Sequence, residues 1–342
     1  MLAQTHQLNA GALTTLNADG TFSTKAGRAS ISGTVDAESG TVRGTLTGPS
    51  GAETSFSGLL STIAQTDRLI NLSSRMRIGS GVGGLITGFV IGGTEPKTVL
   101  VRGIGPTLTA FGLQRVLADP LLRLYRGSEI ITQNDDWSAG SDPTALAAAF
   151  GRVGAFALAP RSGDTALLIT LAPGAYTAHV LSSDATGPAS VALIEIYDAS
   201  VNPNSEYQRL VNISTRGEVT AGEGVLIGGF IITGNFPKRV LIRGVGPGLT
   251  ALGVPGVLAD PRVRLFRGVE LLGENDDWSA VEEEASALSK AARATGAFAL
   301  VAGSKDAALL FTLTPGAYTA QINATDPAAT GEALIEIYEL PP

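Results

Sequence analysis

Two short blocks hold both tryptophans of the chain: Gln133-Asn134-Asp135-Asp136-Trp137 and Glu274-Asn275-Asp276-Asp277-Trp278. Amide and carboxylate oxygens on three consecutive residues suit one of three tasks. They can ligate calcium, a hard cation that takes clustered oxygens, with Asn134, Asp135 and Asp136 as one donor set and Asn275, Asp276 and Asp277 as the other. They can work as a catalytic carboxylate pair. They can also close a strand with Asx-turns while the indole packs over the rim of a sandwich. Adjacent aspartates on a strand point to opposite faces, which suits neither glycosidase geometry. The catalytic reading is set aside; the structural corner and the calcium site both stand.

Other chemistry is sparse. Cysteine is absent, which excludes disulfides, thiolate metal sites and cysteine nucleophiles together. There are two histidines, His6 and His179, and Gln321 replaces the second where the sequence repeats. No serine has a recurring histidine or lysine partner, so no nucleophilic constellation forms. The glycine patterns GSGVGG (79–84), GIGPTL (103–108) and GVGPGL (244–249) invite a phosphate reading. A phosphate loop needs a helix whose free N–H groups face the ligand. Pro106 and Pro247 follow the second glycine of the latter two and no helical pattern continues, so tight turns or bulges are expected. Glu282–Glu284 read as the solvated first turn of a helix. N-x-S/T triplets start at Asn71, Asn212 and Asn323, the first two inside expected strands.

The elements that position these residues come twice. RLINLSSRMRI (68–78) returns as RLVNISTRGEV (209–219), and KTVLVRGIGPTLTAFG (97–112) returns as KRVLIRGVGPGLTALG (238–253). PGAYTA (173–178) and ALIEIY (192–197) return at 315–320 and 333–338. A repeat this long is a whole domain rather than a solenoid unit. The expected organisation is an N-terminal hairpin region and arm over 1–66, one repeat over 67–199 and a second over 208–342. The polar, proline-containing segment 200–208 is the linker. Alternating apolar runs and Pro-Gly turns make each repeat mostly strands, with one short helix after the tryptophan, capped in the first copy by Ser141 or Asp142. Met76 stands where the second copy has Gly217, which suggests a different local turn in each copy. In the N-terminal region, Ile31, Val35, Val42 and Leu46 are expected to share one face of a hairpin.

Composition agrees with a layered β-protein. Aromatic residues are 6% of the 342-residue chain and glycines number 43, which favours thin sheets with tight turns. A net charge of −7 without basic clusters gives no footprint for nucleic acid. No apolar run reaches membrane-spanning length. The opening MLAQTHQLNAG has neither a basic nor an apolar signal region, so an export signal is not expected within this chain.

The ordered blocks over 68–340 resemble a repeat family of large exported proteins from environmental bacteria. Asn71, Arg75, Phe89, Arg102, Pro106, Asp119, Asp135, Asp136 and Trp137 carry that resemblance, with their partners in the second copy. LYRGSEIITQNDDW followed by LAPGAYTAHV is also similar to bacterial pre-peptidase C-terminal domains. These are jelly-roll sandwiches on secreted enzymes, some of which bind calcium. The resemblance implies export and an accessory or surface role, and it supplies no catalytic residue. The expected fold is all-β: two tandem jelly-roll or immunoglobulin-like sandwiches, each with one short helix, after a small N-terminal β-region. The expected function is a non-enzymatic extracellular structural protein. It would be a homo-oligomer or helical polymer forming a surface fibre or adhesive layer, with the arm at 2–16 adding as a strand to a neighbour. The alternative is a carbohydrate- or matrix-binding accessory module that exposes Trp137 and Trp278 to stack on sugars.

Overall fold

The computed structural model describes residues 17, 19–26, 29–36, 41–48, 50–59, 68–78, 84–139, 142–184, 188–200, 208–220 and 224–341. The chain divides into two compact units, Met1–Ala64 and Gln65–Pro342. The arm at 2–16 lies outside the described residues.

The N-terminal unit is a four-stranded antiparallel meander of β1 (Thr21–Ala26), β2 (Ala29–Asp36), β3 (Thr41–Thr47) and β4 (Glu53–Leu59). The expected hairpin is β2–β3, with Ile31 opposite Leu46 and Val35 opposite Val42 in the register. Gly33 is needed beside them, because a Cβ there would run into the Phe22 ring and the Arg43 carbonyl.

The second unit contains both repeats. The first supplies β5 (Arg68–Ile78), β6 (Gly84–Gly93), β7 (Lys97–Ile104), β8 (Pro120–Arg126), β9 (Glu129–Asn134), α1 (Pro143–Val153), β10 (Thr165–Leu171), β11 (Gly174–Ser182) and β12 (Ser190–Asp198). The second supplies β13 (Gln208–Val219), β14 (Leu226–Thr233), β15 (Lys238–Val245), β16 (Pro261–Arg267), β17 (Glu270–Asn275), α2 (Glu282–Thr295), β18 (Ala307–Leu313), β19 (Gly316–Ala324) and β20 (Gly331–Glu339). The fold is all-β, as expected: two eight-stranded antiparallel sheets pack as a sandwich, and one helix per repeat covers an outer face.

The two repeats share both sheets. One sheet runs β10-β7-β12-β5-β14-β19-β16-β17, the other β18-β15-β20-β13-β6-β11-β8-β9. Exchanging each strand for its repeat counterpart converts the first order into the second, so the arrangement has a pseudo-twofold axis at its centre. There β5 pairs with β14, and β13 pairs with β6. Polar contacts tie this seam: the Thr87 and Thr215 hydroxyls lie 3.0 Å apart, and Ser74 Oγ donates to the Ile227 carbonyl at 3.0 Å. Met76 and Gly217 lie in mid-strand at the same seam, not in a turn. A Cβ at Gly217 would collide with the Met76 sulfur. The two residues are complementary partners across the axis, and this corrects the expected difference in local turns.

The main core lies between the sheets and draws on both copies, from Leu69, Leu72 and Phe89 to Phe230, Ile322 and Ile337. Smaller cores lie under the helices. Leu100, Trp137, Leu146 and Phe150 cluster beneath α1, and Leu241, Trp278 and Leu288 beneath α2. Strand β7 is therefore buried on both faces: Val99 and Val101 point between the sheets, Leu100 and Ile104 toward the helix. Asp142 caps α1 by accepting from Ala145 N at 2.8 Å, and Pro143 occupies its first turn.

Candidate functional site

The Asn-Asp-Asp-Trp blocks sit where β9 and β17 end. Asn134 Oδ1 accepts from Ala166 N at 3.0 Å and its Nδ2 donates to the Asp136 carbonyl at 3.0 Å, so one amide clasps the turn onto β10. Asn275 does the same with Ala308 N (2.9 Å) and the Asp277 carbonyl (3.3 Å). The indoles are buried. Trp137 donates to the Ala159 carbonyl and packs 5.4 Å from Phe150, and Trp278 donates to the Val301 carbonyl and Ser304. Burial corrects the expectation of exposed sugar-stacking platforms.

Calcium takes six to eight oxygens around one point. Both Asn side chains are committed to backbone, and Asp277 pairs with Lys305 at 2.8 Å. Among the described residues, no three His, Cys, Asp or Glu side chains gather as metal ligands. Asn134 and Asn275 form strand-closing clasps, which leaves Asp135 with Asp136, and Asp276 with Asp277, as the remaining oxygen donors of each block. Asn71 and Asn212 are buried in paired strands, where a glycan has no room.

The glycine loops hold an anion that the chain itself provides. A six-residue 3-10 helix, Pro106–Phe111, follows Gly105, and Pro247–Leu252 follows Gly246, against the expectation that no helix continues. Fully buried Asp164 accepts from Gly105 N at 2.8 Å and from the Thr107 hydroxyl. Asp306 accepts from Gly246 N and Gly248 N at 2.9 and 3.0 Å. These donors, which would otherwise favour a phosphate, are satisfied from within. Gly105 is obligatory because a Cβ would strike the Leu117 carbonyl.

The largest departure from the sequence reading is a buried ionic pair in each copy. Arg102 is 0% exposed and stands directly opposite Glu195 across β7 and β12. Its Nε and Nη2 both donate to Glu195 Oε2, Nε at 2.9 Å, while Nη1 reaches the Phe156 carbonyl at 2.6 Å. The guanidinium lies 4.3 Å from the Phe156 ring centre and 5.0 Å from that of Phe150. Tyr197 donates to the other carboxylate oxygen of Glu195 at 2.9 Å. Arg243, Glu336 and Tyr338 stand at the equivalent positions, with Arg243 Nε 2.9 Å from Glu336 Oε2 and Tyr338 donating to Glu336 at 2.7 Å. Lys97–Asp198 and Lys238–Glu339 add a second buried pair at 2.6 and 2.9 Å. The sequence signal was present: one arginine and one glutamate recur inside the apolar runs VLVRGIG and ALIEIY.

These pairs have a measurable consequence. Burial, and then the neighbouring glutamate, push the hydroxyls of Tyr197 and Tyr338 above the usual tyrosine value of 10.0. Above pH 10 the unfolded chain loses protons that the folded chain keeps, so stability is full below that pH and falls as it rises further. Of the six tyrosines, these two are expected to stay protonated until the protein unfolds, giving a delayed step in absorbance at 295 nm. Smooth titration of all six before unfolding would contradict that.

The remaining candidate surface is the sheet ends. Strands β10 and β17 end one sheet, β18 and β9 the other, and each pairs on one side only among the described strands. Ile130 (46% exposed) and Ile131 on β9, and Leu271 (48%) on β17, are apolar side chains on these edges.

No family model matches the sequence, and no curated protein matches it significantly. The resemblance to repeats of exported proteins therefore rests on the quoted motifs. Among solved structures, the chain is similar to the tandem CBM51 modules of Sp3GH98, the family 98 glycoside hydrolase from Streptococcus pneumoniae SP3-BS71. The match has 6% identity and a TM-score of 0.22, covering 77% of this chain and 83% of that one. At that level the likeness carries no argument about function.

Proposed function

We propose that this chain is a non-enzymatic extracellular structural subunit that assembles with copies of itself through its sheet edges. The observation that supports this reading is the two edge strands, each paired on one side only among the described strands, with exposed apolar side chains, β9 with Ile130 and Ile131 and β17 with Leu271. Open edges offer a row of free N–H and C=O groups to another strand, and exposed apolar side chains add burial on contact. The pseudo-twofold places the first repeat's edges at one end of both sheets and the second repeat's at the other. Joining unlike ends continues both sheets without closing a ring, and a contact of that kind builds filaments. Export is supported by the motif resemblance.

Negative-stain microscopy and sedimentation of the full chain test the reading. The wild type is expected to form linear oligomers. Ile131→Lys with Leu271→Lys, both at exposed sites, should shift it to monomer while leaving the melting temperature within a few degrees. A wild type that stays monomeric at high concentration overturns the assembly role.

A further inference from the structure

The two helix-covered cores differ at one position that matters. In the first copy, Phe150 of α1 places its ring 5.0 Å from the Arg102 guanidinium carbon and 5.4 Å from the Trp137 ring. The Phe156 ring stands 4.3 Å from the same carbon. In the second copy, Ala292 takes the place of Phe150, while Leu241, Trp278, Leu288 and Phe298 match their first-copy counterparts. A cavity of about 180 Å³ lies there, bordered by Trp278, Leu288, Ala292, Leu300 and Arg243, with exposed Arg293 also on its wall.

Arg243 is also less satisfied than Arg102. It is 1% exposed and donates through Nη1 to the Phe298 carbonyl at 2.6 Å. Its Nε lies 2.9 Å from Glu336 Oε2, close enough for an ion pair, yet off the hydrogen-bonding direction. Nη2 has no hydrogen-bond partner. A buried guanidinium thus borders the cavity with donors unspent, and the Phe298 ring lies 4.2 Å from it. Buried donors of this kind are costly unless something accepts from them.

We propose that this cavity binds one small aromatic molecule carrying an anionic acceptor group, of the benzoate class. The ring takes the place that a phenyl side chain fills in the first copy, between the Trp278 indole and Arg243. Apolar cavities of this size accept a benzene-sized ring. The carboxylate accepts from the free Arg243 donors, and Arg293 supplies a positive charge that Glu336 does not balance. The site is independent of the sheet edges, so its failure and that of the assembly reading are separable.

Ligand-detected NMR titration of benzoate into the full chain tests the site. One saturable site is expected, with a dissociation constant of about 0.1–1 mM for a ligand of this size. Ala292→Phe fills the cavity from within and should weaken binding by about tenfold or more. Ala292→Leu, a smaller change, should show the same direction if the phenylalanine variant folds poorly. Phe150→Ala should open the matching space in the first copy, but Arg102 there is already spent on Glu195 and Phe156 and Gly151 stands in place of Arg293, so the benzoate stoichiometry should stay at one. Three outcomes overturn the proposal: no saturable binding to the wild type, wild-type affinity in both Ala292 variants, or toluene binding more tightly than benzoate.

Discussion

Cut from its partner repeat, the segment 65–206 is not expected to persist as a folded monomer. Its β5 and β6 are interior strands in the intact protein, each hydrogen-bonded on both sides, one of them by a strand of the other copy. Removing residues 207–342 turns both into open edges. It also uncovers one side of a seam lined by Leu69, Leu72, Phe89 and Ile91, all 1% exposed or less. Leaving four such side chains in water costs about 6–12 kcal/mol, the size of a domain's whole net stability. The pseudo-twofold offers an escape, since a second copy of the same fragment could take the missing place. Met76 obstructs it, because methionine would then face methionine where the intact chain sets Met76 against Gly217. The expected result is insoluble or strained dimeric material from 65–206 alone, more homodimer from the Met76→Gly fragment, and a one-to-one complex when both halves are co-expressed. Light scattering distinguishes these species. A well-folded monomer of either half would show that the shared sheets are not required.

The sequence allows much of this fold to be read, with a consistent blind spot. Alternation in TVLVRGI and ALIEIY, the Pro-Gly turns and the proline-led helix are local signals, and each marks an element that the structure contains. The duplication is equally plain. What cannot be read locally is pairing between copies. An eight-stranded sheet divided between repeats and two separate four-stranded sheets demand the same alternation, so only the Met76–Gly217 complementarity hints at the seam. The site residues follow the same rule. Asn134 and Asn275 read as strand-ending residues because Asx-turn chemistry is local. Their oxygens invite a metal until the backbone partners at Ala166 and Ala308 are known. Arg102 and Asp164 act through residues 93 and about 60 positions away, beyond any local pattern. Arg102 in particular sits on the outward parity of β7, and only the covering helix makes that face interior.

Replacing Glu195 by alanine is expected to be among the most damaging single changes in the protein. A guanidinium is a permanent charge, and the Arg102 side chain is 0% exposed. Without Glu195 the guanidinium keeps one hydrogen bond to Phe156 and its aromatic neighbours, but no counter-charge. Tyr197 loses its acceptor in the same step. Breaking one partner of a buried pair costs about 3–5 kcal/mol, which for a unit of this size lowers the melting temperature by roughly 10 °C. Removing both charges should cost less than removing one. Arg102→Met with Glu195→Leu takes away the desolvation of two ions together and leaves chiefly the Phe156 carbonyl and Tyr197 hydroxyl unpaired, an effect of about 1–3 kcal/mol. The second copy gives an internal control. Glu336→Ala is expected to be milder, because the cavity beside Arg243 admits water to a guanidinium that the ring of Phe150 shields in the first copy. Calorimetric melts of the three variants decide the matter. If Glu195→Ala melts no lower than Glu336→Ala, or if the double variant is worse than the single, the aromatic enclosure rather than the carboxylate holds Arg102 in place.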